Sequence, residues 1–228
     1  MPCLRFTVAI AGALSLAACT AERFDEPVCR APQRSAASQA SSGFARGYFP
    51  AEFAKPTLDC GTPSGLLPLI GDIEQDWYPK QWQAAHEPSF YELTQCGTPP
   101  EFALRFSYIP SFDPSVFIRV QSDGDGLSLI AKQLTGAGGY DPGALGWSKK
   151  MQLTERQASE LQQILASQAL FEEPPATCEM GFDGSQWIFE MVDENGYRMA
   201  KRWSPSDGAA HNLGRFLIEL SGWEIETY

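Results

Sequence analysis

The chain has 228 residues, of which 43% are hydrophobic and 20% charged, as is typical of a globular protein and not of a disordered one. Its 28 acidic and 17 basic residues give a net charge of −11. A field of that sign repels the phosphates of nucleic acids, so nucleic acid is excluded as an expected partner.

A short apolar segment opens the chain. Residues 6–18 contain no charged side chain and follow a single cation, Arg5. A membrane-spanning helix needs about 20 apolar residues, so this segment is too short to span a bilayer and matches the apolar region of a cleaved export signal. Residues 1–18 are therefore predicted to form a signal peptide.

The signal ends in Leu16, Ala17, Ala18 and Cys19, which resemble the lipobox of bacterial lipoproteins. The resemblance implies that Cys19 carries a diacylglyceryl group, and two acyl chains hold a protein stably on a membrane. Thr20 follows the cysteine, and by the sorting rule of enteric lipoproteins the absence of Asp there favours the outer membrane. We expect a protein anchored in the bacterial cell envelope and facing the periplasm.

Other ways of processing the signal remain open. A cut after Ser15 places Ala13 at position −3, and a cut after Ala21 places Cys19 there, so both satisfy the small-residue rule of ordinary signal peptidase. Either cut would release a soluble protein. An uncleaved anchor is the third alternative to lipidation.

The cysteines favour an oxidising compartment. Apart from Cys3 in the signal and Cys19, they are Cys29, Cys60, Cys96 and Cys178. Four cysteines allow three pairings, among which the sequence does not choose. Their spacing contains no CxxC motif and neither histidine lies beside a cysteine, so we expect disulfides and no metal.

Two segments follow the signal. Residues 19–45 lack apolar periodicity, and residues 33–43 are largely Ser, Ala and Gln, so we predict a flexible tether. Residues 46–228 have the length of one domain and are predicted to form a single globular unit. Removal of Arg5 with the signal changes the charge balance to 16 − 28, or −12.

The first half of the domain predicts one helix and an antiparallel meander. A helix that Pro79 ends is indicated by an apolar stripe of Leu66, Leu69, Ile70, Ile73 and Trp77. From residue 102 the apolar period becomes two, which predicts strands over residues 102–108 and 116–120. A turn at 123–126 predicts a third strand over residues 127–134, and residues 145–153 are expected to add a fourth. The sequence GGYDPG at 138–143 lies in the loop before the last of these strands.

The second half predicts a helix, a hairpin and a last helix. Thr154 and Gln157 form a capping box at the start of a helix with a buried stripe at Leu161, Ile164 and Leu165. We expect Pro174 and Pro175 to end this helix. A final helix has apolar residues at Leu213, Phe216, Leu217 and Leu220 and is expected to end near Gly222.

Asn195 and Gly196 predict a type I′ turn between the two hairpin strands. Counting outward from that turn pairs Asp193 with Arg198. The same count pairs Glu190 with Lys201, so that opposite charges face each other at both positions.

The order of elements predicts a single α+β domain, built from an antiparallel β meander plus hairpin with three helices packed mainly on one face. The sequences GGYDPG, DGSQWIFE at 183–190 and RWSP at 202–205 resemble a family of uncharacterised lipoproteins of Gram-negative bacteria. That family has no assigned activity. The resemblance implies an envelope location and this architecture, and it transfers no functional residue.

The sequence lacks the common catalytic motifs and predicts no catalytic residue, metal or cofactor. GxSxG, P-loop and GxGxxG patterns are absent, and His86 lacks the second histidine of a zincin. His211 is interpreted as a solvated or capping residue. Asp123 and Asp125 mimic a calcium loop, but Leu127 stands where a ligand is required, so they are interpreted as turn residues.

The aromatic residues are the remaining functional signal. Core packing accounts for most of the six tryptophans, but Tyr140 and Trp147 lie outside the apolar stripes and are predicted to form a binding surface. The favoured function is a lipid-anchored binding or scaffolding module for an envelope protein or glycan. The alternatives are an envelope hydrolase that uses carboxylates and an inhibitor of a periplasmic enzyme.

Overall fold

The computed structural model describes residues 47–61, 63, 65–95, 99–124, 126–179 and 181–228. The predicted signal and tether therefore lie outside the described residues, as do Cys19, Cys29, Cys96 and Asp125. None of the helices in the described ranges is long and apolar enough to cross a membrane.

The centre of the described domain is a six-stranded antiparallel sheet in the order β6-β5-β4-β3-β7-β8. Its strands are β3 (Ala103–Pro110), β4 (Val116–Asp123), β5 (Gly126–Leu134), β6 (Leu145–Gln152), β7 (Ser185–Asp193) and β8 (Gly196–Trp203). A small second sheet pairs β1 (Pro56–Leu58) with β2 (Leu67–Pro68). The predicted meander is β3 to β6, and the predicted hairpin joins it where β7 pairs with β3.

The described residues contain four α-helices, so the prediction of a single α+β domain is confirmed and one helix is added to it. They are α1 (Glu74–Ala84), α2 (Phe90–Thr94), α3 (Glu155–Gln168) and α4 (Gly208–Ser221). Helices α3 and α4 cover the sheet face that carries Leu104 and Phe106. Helix α1 packs on the opposite face, against Phe117 and Ile188, so the helices lie on both faces and not mainly on one.

The predicted first helix differs most from the structure. Residues 67–73 form the short strand β2 followed by a bend and a turn, and Ile70 donates a backbone hydrogen bond to the carbonyl of Phe53. Leu69 and Ile70 are buried there, whereas Ile73 is exposed, so the apolar stripe reflects burial of a non-helical segment. Helix α1 starts at Glu74 and continues through Pro79, which removes only one backbone hydrogen bond.

The capping predictions for α3 and α4 are confirmed. The backbone N–H of Thr154 donates to Gln157 Oε1 at 3.0 Å, and the Gln157 N–H donates to Thr154 Oγ1 at 3.3 Å. Helix α3 ends at Gln168, before the predicted prolines, because Ala169 adopts the left-handed conformation. Helix α4 ends before Gly222, which has a φ of 69°.

The predicted register of the hairpin is wrong by two residues. Gly196 has a φ of 87°, but Asn195 does not adopt a positive φ. The two-residue turn is therefore formed by Glu194 and Asn195, and Asp193 lies opposite Gly196. A shift of two keeps every side chain on its predicted face, because side chains alternate with a period of two.

In the observed register, two of the charged hairpin residues bind partners other than the predicted ones. Glu190 lies opposite Met199 and binds Arg105 in the neighbouring strand, while Lys201 forms an ion pair with Glu74 of α1. Arg198 and Asp193 still form an ion pair, as diagonal neighbours and not as directly opposed residues.

Cys60 and Cys178 form a disulfide with an S–S distance of 2.10 Å across a sequence separation of 118 residues. This bond confirms the prediction of a disulfide for two of the four candidate cysteines. It ties the segment between β1 and β2 to the connection between α3 and β7, so the N-terminal part of the described domain is covalently held to the segment that precedes the hairpin.

Candidate functional site

Several loops meet at one end of the central sheet. They are the β3–β4 loop (residues 111–115), the β5–β6 loop (residues 135–144), residues 181–184 before β7, and residues 224–228. Ser111 links the β3–β4 loop to two of the others, because its N–H donates to the carbonyl of Gly184 at 2.8 Å and its own carbonyl accepts from Gly139 at 3.2 Å. The Tyr228 hydroxyl donates to Asp113 Oδ2 at 2.9 Å and thereby joins the last segment to this group.

These loops expose four aromatic side chains, which we call the aromatic end: Phe112, Tyr140, Phe182 and Tyr228. Their exposed fractions are 54%, 76%, 101% and 43%, respectively. The rings of Phe112 and Tyr140 lie with their centroids 6.2 Å apart. Large apolar side chains that gather on a surface indicate a site of interaction more often than scattered ones do.

The loop that carries Tyr140 is closely packed. A Cβ atom on Gly136 would lie 1.9 Å from the carbonyl oxygen of Asp141, and one on Gly138 would lie 2.7 Å from that of Pro110. Only glycine fits at such approaches. The N–H of Gly143 donates to Asp141 Oδ1 at 2.8 Å, which closes the turn that follows Tyr140.

Side chains of helix α1 hold the same loop by hydrogen bonds. The carbonyl of Gly138 accepts hydrogen bonds from Trp77 Nε1 at 2.7 Å and from Gln81 Nε2 at 2.8 Å. The amide oxygen of Gln81, in turn, accepts from the Ser115 hydroxyl at 2.9 Å. Gln81 and Ser115 are buried, so the exposed ring of Tyr140 stands on a loop that is held by internal hydrogen bonds.

The structure places both residues of the predicted binding surface on the outside of the protein. Tyr140 belongs to the aromatic end, and Trp147 is 71% exposed on β6, where its partner in register is Gln133. Strand β6 is an edge of the sheet, so Trp147 flanks the aromatic end. In contrast, Trp82 and Trp187 are buried in the core, as core packing predicts.

Phe112 and Phe182 were not predicted as part of this surface, although the sequence contains a signal for them. Each is followed directly by aspartate, as Tyr140 is, in a loop next to glycine, proline or serine. An aromatic residue before an aspartate in such a loop is poorly placed for core packing, because turn residues lie at the surface.

A second feature is an ionic cluster buried between the sheet and the α1–α2 side of the domain. Its charged members in the described chain are Glu87, Arg105, Arg119, Lys132 and Glu190. Glu87 Oε1 lies 2.8 Å from Lys132 Nζ, and Glu87 Oε2 lies 3.0 Å from Arg119 Nε. Arg105 Nε donates to Glu190 Oε2 at 2.8 Å.

The surroundings of Arg105 hold it in one position. Its guanidinium carbon lies 4.5 Å from the ring centroid of Trp82 and 4.6 Å from that of Phe90. Its Nη1 donates to the carbonyl of Pro88 at 2.7 Å, and the Tyr197 hydroxyl donates to the other oxygen of Glu190 at 3.0 Å. Two aromatic rings and hydrogen bonds to Pro88 and Glu190 therefore surround the guanidinium.

The two carboxylates of the cluster titrate differently. Burial opposes ionisation of Glu87, but attraction by Arg119, Lys132 and Arg105 outweighs it and lowers the pKa of Glu87. Burial raises the pKa of Glu190, and the attraction of Arg105 offsets that rise only in part. Since both are enclosed and hydrogen-bonded or ion-paired, we interpret them as structural groups and not as the carboxylates of a hydrolase.

The remaining predicted polar residues also have structural roles. The backbone carbonyl of His86 accepts from Lys132 Nζ at 2.8 Å, and the ring of His211 stacks 6.1 Å from that of Trp187. Asp123 lies 3.0 Å from Lys150 Nζ, and this hydrogen-bonded pair lowers the pKa of the Asp123 carboxyl. Among the described residues, no group of three or more His, Cys, Asp and Glu could hold a metal ion.

Comparison with known proteins adds no relative. No protein-family model matches the chain, and no curated protein matches it significantly. The resemblance to the uncharacterised lipoproteins therefore stays a prediction.

Proposed function

We propose that the protein is a lipid-anchored binding module of the bacterial cell envelope that faces the periplasm and holds its partner at the aromatic end. The anchor is inferred from Cys19 in its lipobox-like setting and the reach from the predicted tether at residues 19–45. The Cys60–Cys178 disulfide is compatible with an oxidising compartment.

The observation that carries the binding role is the exposure of aromatic rings on a loop held in one conformation. Burial of an exposed ring on association releases water from a large apolar surface. A loop already fixed by Trp77, Gln81 and the close approach at Gly138 loses little conformational entropy on binding. Both terms favour association at the aromatic end over other parts of the surface.

The anchor is tested first. Intact mass spectrometry of the mature protein should show cleavage before Cys19 and the mass of the added acyl chains, and labelled palmitate should be incorporated. A Cys19→Ser variant should lose the label and move from the membrane fraction to the soluble fraction. A variant that sediments like the wild type and still begins at Met1 would contradict the anchor.

The binding role is tested by photo-crosslinking in intact cells. A photoreactive phenylalanine analogue is introduced at Tyr140 or at Phe182, and as a control at Asn195 in the exposed turn at the opposite end of the sheet. We expect the same crosslinked product from the first two positions and none from the control. Equal yields at all three positions, or none at any, would contradict a binding site at the aromatic end.

A further inference from the structure

The aromatic end repeats one arrangement in three separate loops, in which an exposed ring is followed at once by an exposed carboxylate. The pairs are Phe112–Asp113, Tyr140–Asp141 and Phe182–Asp183. The loops are far apart in sequence, but the hydrogen bonds of Ser111 and Tyr228 bring them to one end of the sheet. Apolar and anionic groups therefore alternate across the same surface.

The four segments that form this surface carry charge of one sign. The segments 111–115, 135–144, 181–184 and 224–228 contain five acidic residues and neither lysine nor arginine. Two of the carboxylates are positioned by hydrogen bonds, Asp113 by the Tyr228 hydroxyl and Asp141 by the N–H of Gly143. A carboxylate has two oxygens and about four acceptor sites, so each keeps acceptors free for a ligand.

We propose that the partner of the aromatic end is a positively charged polypeptide segment rich in arginine or lysine. The inference rests on the proposed binding function and names the chemistry of its partner. Arginine suits this surface because its planar guanidinium stacks on aromatic rings and forms paired hydrogen bonds with carboxylates. Alternation of rings and carboxylates offers both contacts to successive side chains of an extended segment.

Charge complementarity favours this partner over a glycan. A neutral sugar stacks on rings and binds hydroxyl acceptors, but it leaves the repulsion among neighbouring carboxylates unrelieved. A cationic segment relieves that repulsion and is also drawn to the surface by the negative net charge of the whole chain, −11. Such an association weakens as salt screens the charges.

The test uses the purified full-length protein in detergent and a fluorescent decapeptide of alternating arginine and alanine. An alternating glutamate–alanine decapeptide and a tetramer of N-acetylglucosamine are the comparison probes. Of the three probes, we expect only the arginine peptide to bind, and its affinity should fall as the salt concentration is raised. Changing Tyr140 and Phe182 together to serine should weaken binding of the arginine peptide about fivefold or more, since each exposed ring provides a cation–π contact.

Charge variants separate this site from general attraction. Neutralising the three loop carboxylates, by Asp113→Asn, Asp141→Asn and Asp183→Asn, should weaken binding about tenfold or more. The matched control removes the same charge at exposed sites away from the aromatic end, by Glu155→Gln, Glu172→Gln and Glu194→Gln. The control should change the affinity less than twofold.

Each other outcome overturns the proposal. Equal losses in the two triple variants would show attraction by net charge alone, and binding of the sugar tetramer without the arginine peptide would show a glycan site. If no peptide binds but the crosslinks at Tyr140 and Phe182 persist in cells, the binding function stands and the cationic partner is wrong. If the crosslinks also fail, the proposed function fails with it.

Discussion

On one face of the central sheet, Leu104, Phe106 and Trp187 pack against the apolar residues of α4 and make no ion pair. On the other face, Arg105 lies at the next position of the same strand, equally buried, and binds Glu190. The apolar face is stabilised by surface removed from water, which tolerates side chains of similar size. The ionic face depends on particular partners, because a buried charge that loses its partner has no water to replace it.

The largest effect is expected when the ionic face loses its central cation. Arg105→Met should lower the free energy of unfolding by about 3–5 kcal/mol, because it leaves Glu190 buried without its partner. The neighbouring change Leu104→Met, on the apolar face of the same strand, should cost less than about 1.5 kcal/mol. Urea denaturation followed by tryptophan fluorescence measures both, and equal costs would contradict the difference between the faces.

The disulfide is expected to rank next, because it joins two segments that are 118 residues apart in the chain. Cys60→Ser should lower the free energy of unfolding by about 2–4 kcal/mol, mainly because the unfolded chain is no longer constrained. The wild type treated with a reducing agent should lose the same amount. If reduction leaves the midpoint of denaturation unchanged, this bond does not constrain the unfolded chain as expected.

The two buried carboxylates should differ in their importance. Glu87→Gln should cost about 1.5–3 kcal/mol at neutral pH, because three cations lose their shared counter-charge, and more than Glu190→Gln does. The pKa of Glu87 is lowered from its ordinary value of 4.5, so its contribution is present above pH 4.5 and is lost as the pH falls through the folded-state pKa.

Denaturation between pH 6 and pH 3 tests this assignment. The wild type should lose more stability over that range than Glu87→Gln does, since the variant has no carboxyl group to protonate at this site. If the free energy of unfolding falls equally with pH in the two proteins, protonation of Glu87 does not contribute to the loss of stability in acid.

The smallest effect on stability is expected at the aromatic end. Tyr140→Ala should change the free energy of unfolding by no more than about 0.5 kcal/mol, because its exposed ring contributes little to the core. In the same loop, Gly138→Ala should be clearly destabilising, since its Cβ would meet Ser115 Oγ at 2.6 Å. A large loss of stability in the Tyr140→Ala variant would indicate that the ring stabilises the fold and is not free to bind a partner.

Local signals in the sequence predicted much of the fold. The period-two pattern located β3 and β4, the turn before β5 located that strand, and the capping box located the start of α3, because each depends on residues close in the chain. The ionic cluster was not predicted, since Arg105 in an alternating strand has the pattern of a solvent-facing residue. Its burial follows from Glu87, Trp82 and Phe90, which reach it only through tertiary packing.

The candidate site was predicted in part, for the same reason. Tyr140 and Trp147 stood out because they lie outside any apolar stripe. Phe112 and Phe182 join Tyr140 only when the β3–β4 loop, the β5–β6 loop and the segment before β7 meet at one end of the sheet. The register of the hairpin failed because Glu190 is drawn to Arg105 in β3, a partner that counting outward from a turn does not include.

The position of Tyr228 has a practical consequence for purification. Its backbone carbonyl accepts a hydrogen bond from the Ser185 hydroxyl. Its side-chain hydroxyl donates to Asp113 and accepts from the N–H of Phe112. A histidine tag added after this residue would therefore extend directly from the aromatic end and, when protonated, offer it a cationic segment in cis. An affinity tag is better inserted in the exposed turn at Asn195, at the opposite end of the sheet.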